Sequence, residues 1–183
     1  VYVSTLDLKY KLYYISIAEG IDKQPCVLDS TLVSYKGTLL DGTLFDTATD
    51  SNPIWLTLDG TVGGWSQIVP FFKSGNATLG SNGVVNYSDF GNGIMILPSA
   101  FGYYAETTKP NIPAYSPLIF YFQLKKVNHV DNDRDKVLTK DELLYNPTTG
   151  TTTFLDTDGD GVYDYLDIDD DGDGFITKIE VTK

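Results

Sequence analysis

Toward the C-terminal end of the chain, residues 156–180 read DTDGDGVYDYLDIDDDGDGFITKIE, a run in which oxygen-bearing side chains recur at alternate positions with glycines between them. Like charges at this density repel, so the run either stays open in solvent or is gathered by cations. A hard cation the size of calcium takes about six to eight oxygens, and a short loop supplies them only if carboxylates alternate while the backbone turns sharply. Asp169, Asp171, Asp173, the Phe175 carbonyl, Thr177 and Glu180 fall at positions one, three, five, seven, nine and twelve of such a loop, with Gly174 at the sharp turn. Asp156, Asp158, Asp160, the Val162 carbonyl, Asp164 and Asp167 repeat the pattern around Gly161. Upstream, Asp131, Asp133, Asp135, the Val137 carbonyl, Thr139 and Glu142 keep the same register, although Lys136 stands where glycine is expected. A shared register, with a bulky apolar residue at or beside position eight of each loop, argues against a disordered acidic tail.

These spacings resemble the EF-hand loop and thrombospondin type 3 calcium segments, and the resemblance implies Ca2+ as a structural ion. Thr139 with Glu142, and Thr177 with Glu180, have the spacing of capping boxes and predict short helices at the ends of their loops. The flanking segments are too short for the long paired helices of a calcium sensor, so a structural role is expected.

The net charge of −12 is unevenly spread. Residues 1–130 carry ten acids and eight bases, whereas residues 131–183 carry fifteen acids and five bases. That asymmetry excludes nucleic acid as a partner, because its phosphates would be repelled. Cys26 is the single cysteine, which rules out an intrachain disulfide and a thiolate metal site. No segment approaches the roughly 18 apolar residues of a membrane helix. The first residues, VYVSTLDLKY, lack a signal-peptide pattern, as a mature or truncated chain would. Weak calcium sites are typical of extracellular modules. An extracytoplasmic address is therefore expected, in a bacterial periplasm or at the cell surface, including as part of a lipid-anchored precursor.

The remainder reads as α+β. Residues 8–17, 31–35, 54–58 and 118–124 alternate as half-buried strands do, separated by turn signals such as Asp41-Gly42 and Asn52-Pro53. A short helix is predicted over Trp65–Lys73, with Trp65, Ile68, Val69 and Phe72 on one face and Pro70 limiting its length. The pattern changes after Lys126, which divides the chain into residues 1–127 and 128–183. Within the second part, Asn146–Thr153 reads as an ordered connection.

At VSYKGTLLDGTLFDTA, residues 33–48, the chain resembles the FKBP family of macrolide-binding peptidyl-prolyl isomerases. The resemblance continues through Gly64-Trp65, Pro98, Phe101-Gly102, Ile112-Pro113 and the segment PLIFYFQLKKV containing Phe120, in family order over about residues 10–127. It implies a bent antiparallel sheet wrapped on a short helix. The implied proline site comprises Tyr35, Phe45, Asp46, Val62, Trp65, Phe101, Ile112 and Phe120, with Trp65 as its floor. Proline-containing polypeptides are the implied substrates, macrolides are possible ligands, and a monomer is expected.

Amide rotation needs no nucleophile. Its barrier of about 18–20 kcal/mol reflects lost resonance, and a dry aromatic cup favours the twisted amide, which has less charge separation. Asp46 is placed to orient the substrate through a polar contact. The chain departs from the family in three places. Phe101 replaces a tyrosine whose hydroxyl meets the substrate carbonyl, leaving Tyr103 or Tyr104 as substitutes, and activity is expected to be reduced if neither serves. The segment before Trp65 lacks the usual acidic and hydrophobic pair. Residues 80–93 are an insertion expected to form a hairpin or flap. A non-catalytic chaperone or peptide-binding module using the same apolar cleft is the competing reading. His129, the single histidine, lies at the domain junction with no serine motif around it, so hydrolysis is not expected.

Overall fold

Residues 118–124 alternate buried and more open positions, and the computed structural model, which describes residues 2–5, 8–146 and 148–180, carries them on through residue 128 as the longest strand among these. This strand, β10 (Leu118–Asn128), pairs antiparallel on one edge with β4 (Ser30–Thr38) and on the other with β9 (Gly91–Leu97). Leu118, Phe120, Phe122 and Leu124 are all buried on its inner side. At Lys125 the β4 register slips by one residue, so the buried phase shifts and Val127 is the next apolar side chain to point inward. The displaced Lys125 is itself 4% exposed, and it pairs with Asp50 at 2.9 Å while lying over the Phe90 ring. A buried lysine is tolerated when it is paired in this way.

The sheet continues beyond β9 to β3 (Tyr13–Ala18). The far edge of β4 is shared, with β5 (Leu44–Ala48) on its second half and β6 (Ile54–Thr57) on its first. Before this sheet, β1 (Tyr2–Thr5) and β2 (Leu8–Lys11) form a separate antiparallel pair. The single strand expected over residues 8–17 is therefore two, broken where Leu12 turns into the core. Against the inner side of β10, through Trp65 on Phe120 and Phe122, lies α1 (Gly63–Ile68), followed by a 3-10 turn at Val69–Phe71. The helix starts two residues before the expected Trp65 and stops well short of Lys73. Pro70 has no amide to donate, and its ring clashes with a continuing helical turn. Trp65, Ile68, Val69 and Phe72 nonetheless share the buried face that their spacing predicts.

The insertion forms a hairpin, β7 (Asn76–Leu79) with β8 (Val85–Ser88), starting earlier than expected. In the acidic segment, β11 (Leu143–Asn146) and β12 (Thr151–Phe154) form another, so the supposed connection at 146–153 includes one whole strand apart from its last residue. A final short helix, α2, covers Thr177–Glu180.

Where β10 runs into the acidic segment, the Asp29 carboxylate is fully buried. It accepts the amides of Cys26 and Val130 at 2.7 and 3.1 Å and lies 2.8 Å from His129 Nδ1. His129 is thus a junction residue. Phe71 also meets Tyr145 edge-on across the same boundary, at 6.3 Å between ring centroids. Substituting Asp29→Ala leaves buried donors unpaired, and the expected cost is about 1–3 kcal/mol. Urea unfolding of the whole chain checks this; an unchanged midpoint would show that the junction does not depend on Asp29.

Candidate functional site: an aromatic cleft and three acidic loops

Aromatic residues on β4, α1 and β10 converge because each lies on an inward or rim position of its element. Trp65 of α1 is 2% exposed and forms a floor. Tyr35 and Phe120 meet it edge-on, with centroids 5.3 and 5.4 Å away and planes at 78° and 77°. Such edge-to-face packing is favourable beyond simple burial. Phe45 stands against Phe120 at 5.5 Å, and Gly37 makes this possible, since a Cβ there would lie 2.7 Å from the Phe45 ring and 2.9 Å from Phe120. The glycine in the motif is thus explained by close approach.

The cleft encloses about 500 Å³. Tyr35, Asp46, Val62, Trp65 and Phe120 line it, as the resemblance implies. Phe45 stands behind Phe120 and is not part of the lining. Phe101 is 6% exposed and packs edge-on against Tyr10 at 5.5 Å, so it belongs to the core. Ile112 faces a neighbouring hollow with Leu39 and Pro113. The structure adds Leu56, Thr61, Tyr103, Glu106 and Lys109 to the wall. Only Tyr103 carried a signal in the sequence, as one of two tyrosines following Phe101. Tyr104 instead packs on Tyr115.

The polar rim is organised around Asp46. Its Oδ2 accepts the Tyr35 hydroxyl at 2.6 Å and its Oδ1 accepts the Thr47 amide at 2.8 Å. Burial, and then the Asp46 carboxylate, push the Tyr35 phenol well above its ordinary range. Burial followed by Asp46 and Glu106 raises Tyr103 as well. Both phenols therefore keep their protons at neutral pH and are hydrogen-bond donors.

The acidic loops share one backbone scheme. In each, the amide at position nine bonds to the carbonyl just before position one: Thr139 to Val130, Asp164 to Leu155, Thr177 to Ile168. The position-five carboxylate accepts the position-seven amide, as Asp135 does from Val137, Asp160 from Val162 and Asp173 from Phe175. Position three accepts from position five in the same way through Asp133, Asp158 and Asp171. Position six has positive φ throughout, at 82° for Lys136, 95° for Gly161 and 91° for Gly174. Lys136 thus adopts the glycine conformation, at a cost of about 1–2 kcal/mol.

The side chains expected as ninth ligands have another use. Thr139, Asp164 and Thr177 accept the amides of Asn132, Thr157 and Asp170, which closes each loop across its mouth. The capping box expected at Thr139 and Glu142 does not form, because Thr139 is already the first residue of its 3-10 turn and both Glu142 carboxylate oxygens lack a hydrogen-bond partner.

Among the described residues, three carboxylate clusters could hold a cation. Asp156, Asp158 and Asp160 form one, and Asp169, Asp171 and Asp173 another; Asp164, Asp167 and Glu180 are in neither. The first loop contributes Asp133, Asp135 and Glu142 but not Asp131, whose oxygens accept the amides of Arg134 and Lys136. Its fourth member is Asp170, from position two of the third loop, which loop spacing does not single out. Burial, reinforced by neighbouring carboxylates, pushes Glu142 up to about 8 and Asp133 and Asp170 to about 6.

Comparison with known proteins gives two kinds of match. Residues 132–183 match a family model described as BamM C-terminal. The chain is 30% identical over 117 residues to the FKBP-type peptidyl-prolyl cis-trans isomerase FkpA of Escherichia coli, covering 63% of this chain and 37% of that protein. It therefore spans little more than a third of that relative's length. The FK506-binding protein 1A of Aspergillus fumigatus is 33% identical over 104 residues, which is 55% of this chain and 80% of that one. Among solved structures, FkpA from Escherichia coli matches with a TM-score of 0.52 at 30% identity, over 64% of this chain and 48% of that one. A peptidyl-prolyl cis-trans isomerase from Pseudomonas syringae matches with a TM-score of 0.52 at 25% identity, over 64% and 75%. With most of the Aspergillus protein covered, and the aromatic cup in place, the chain belongs to the FKBP family.

Proposed function

We propose that the cleft catalyses cis–trans isomerisation of X–Pro bonds in polypeptides, and that Tyr103 supplies the hydroxyl that Phe101 lacks. The edge-packed cup of Tyr35, Trp65 and Phe120, floored by an almost wholly buried Trp65, is the observation that carries this reading. A proline ring seated on Trp65 excludes water from the amide, and the twisted amide is better tolerated there than the planar one. Tyr103 lines the cleft as a protonated phenol, and Asp46 is held rigid by Tyr35 and Thr47. The names of the relatives support isomerase activity, and that of the Aspergillus protein supports a macrolide as a competing ligand.

The acidic loops hold calcium as a structural ion. Their common hydrogen-bonding scheme and all-oxygen clusters support this. Weak calcium sites fill where the ion is plentiful, so the chain works outside the cytoplasm in assisting protein folding. No helix among the described residues is long and apolar enough to cross a membrane. The competing reading, a non-catalytic chaperone, is favoured by the inward turn of Phe101, since no hydroxyl is presented at that position.

The test is the isomerisation rate of a short X–Pro peptide. The wild-type chain should accelerate it, with Tyr103→Phe lowering kcat/KM about two- to tenfold, as expected for one lost hydrogen bond. Trp65→Leu should lower it about tenfold or more through loss of the aromatic floor. Absence of acceleration at micromolar protein sinks the enzymatic reading; suppression of aggregation without isomerisation establishes the chaperone instead.

Burial of the Tyr35 phenol, and then its bond to Asp46, also fixes a pH dependence. The folded state raises the Tyr35 pKa above its ordinary 10.0, so the stability this provides is complete below pH 10.0 and is lost as pH rises through the raised value. Urea midpoints at about pH 8 and pH 11 should therefore fall less for Tyr35→Phe than for the wild type. Equal falls would remove Tyr35 as the cause.

A further inference from the structure

The first and third acidic loops meet at a cluster that neither loop builds alone. Asp133, Asp135 and Glu142 come from the first loop and Asp170 from the third, and each offers one oxygen within 4.8 Å of all the others. Asp135 and Glu142 are only 1% and 3% exposed. Asp133 Oδ2, Asp135 Oδ2, both Glu142 carboxylate oxygens and Asp170 Oδ1 are buried with no hydrogen-bond partner. The other oxygens of Asp133 and Asp135 close their own loop by accepting the amides of Asp135 and Val137. Each of these two carboxylates therefore has one oxygen committed to the backbone and one left for the shared centre.

Buried carboxylates at this separation repel strongly unless a cation lies among them. The donor set is all oxygen, which suits a hard divalent ion and not one that prefers nitrogen or sulfur. Oxygens that all lie within 4.8 Å of one another leave room for such an ion among them, and three of the four carboxylates stand in a loop whose alternating oxygens suit calcium.

We propose that Asp133, Asp135, Glu142 and Asp170 form a single calcium site that fastens the first loop to the third. The inference rests on the calcium reading of the loops and deepens it, because the ion here is a cross-link and not the occupant of one loop. Asp170 sits at a position that a self-contained loop leaves without a ligand role. Its amide is held by the Thr177 hydroxyl at 3.1 Å, which anchors its backbone. Further contacts hold the loops together: Lys136 Nζ donates to the Lys178 carbonyl, and a Cβ at Gly172 would lie 2.6 Å from Asp158 Oδ2. Residues 143–169, with the β11–β12 hairpin and the whole second loop, become a closed span when the ion binds. Closing such a span by a metal clip stabilises the folded state.

The experiment is a calorimetric calcium titration of the full chain, beside thermal unfolding in millimolar calcium and in EDTA, for the wild type, Asp170→Asn, Glu142→Gln and their double variant. The expected result is that Asp170→Asn and Glu142→Gln each weaken the same ion about tenfold or more, while the double variant loses no additional ion. Asp170→Asn should lower the melting temperature in calcium but leave it equal or higher in EDTA, where it relieves repulsion. A variant that simply misfolds melts lower in both conditions, and that result counts against the proposal. If Asp170→Asn binds calcium like the wild type while Glu142→Gln does not, the ion belongs to the first loop alone and the cross-link is overturned. If the wild-type chain shows neither binding heat nor a calcium-dependent melt, the calcium reading itself fails and the cross-link with it.

Discussion

The inner face of β10 is the constraint on which the rest depends. Phe120 and Phe122, two residues apart, lie on one side of the strand by the geometry of the pleat. Trp65 packs against both rings, and Phe72 packs against Phe122 at 4.9 Å. One strand therefore seats the helix and forms the cleft. Its paired edges hold it in place, with β9 on one side and β4 on the other. The bulge at Lys125 then turns the alternation so that Val127 still faces inward as the chain approaches the junction with the acidic segment.

The chemistry of the cleft follows from where aromatic residues end up, and two phenylalanines illustrate this. Phe101 packs on Tyr10 and contributes to the core, while Tyr103, two residues later, reaches the cleft wall. The intervening Gly102 caps the 3-10 turn Ser99–Phe101, and Tyr104 beyond it has a φ of 49°, so the chain reverses there. Phe45 acts at one remove by bracing Phe120 through the gap that Gly37 leaves. The discrimination of a twisted from a planar amide proposed for the cup depends on rigidity, and these buried neighbours provide it.

The acidic segment uses its carboxylates in two distinct ways. Many accept backbone amides and shape the loops, as Asp135, Asp160 and Asp173 do in parallel positions. Others remain free of such bonds and point toward common centres. Position nine belongs to the first group in every loop, since Thr139, Asp164 and Thr177 all close the mouth. Lys136 shows the limit of the glycine rule. The hydrogen-bonding scheme of the loop holds it at a φ of 82° despite its side chain.

The residue pattern alone carried the half-buried strands, the buried face of the short helix and the three loop registers, which are local properties set by period-two alternation, by the spacing of ligand oxygens and by the backbone limits of proline and glycine. The antiparallel sheet and five residues of the cleft came instead from the resemblance to the FKBP family. Boundaries were less legible, because Leu12 and Pro70 break elements that hydrophobic pattern alone would continue. The tertiary structure decided which of two adjacent aromatic positions faces the cleft, what the ninth residue of each loop does, and that Asp170 joins Asp133, Asp135 and Glu142. Those outcomes depend on contacts between segments far apart in the chain, where packing density and the burial of charge choose among side chains that local spacing treats alike.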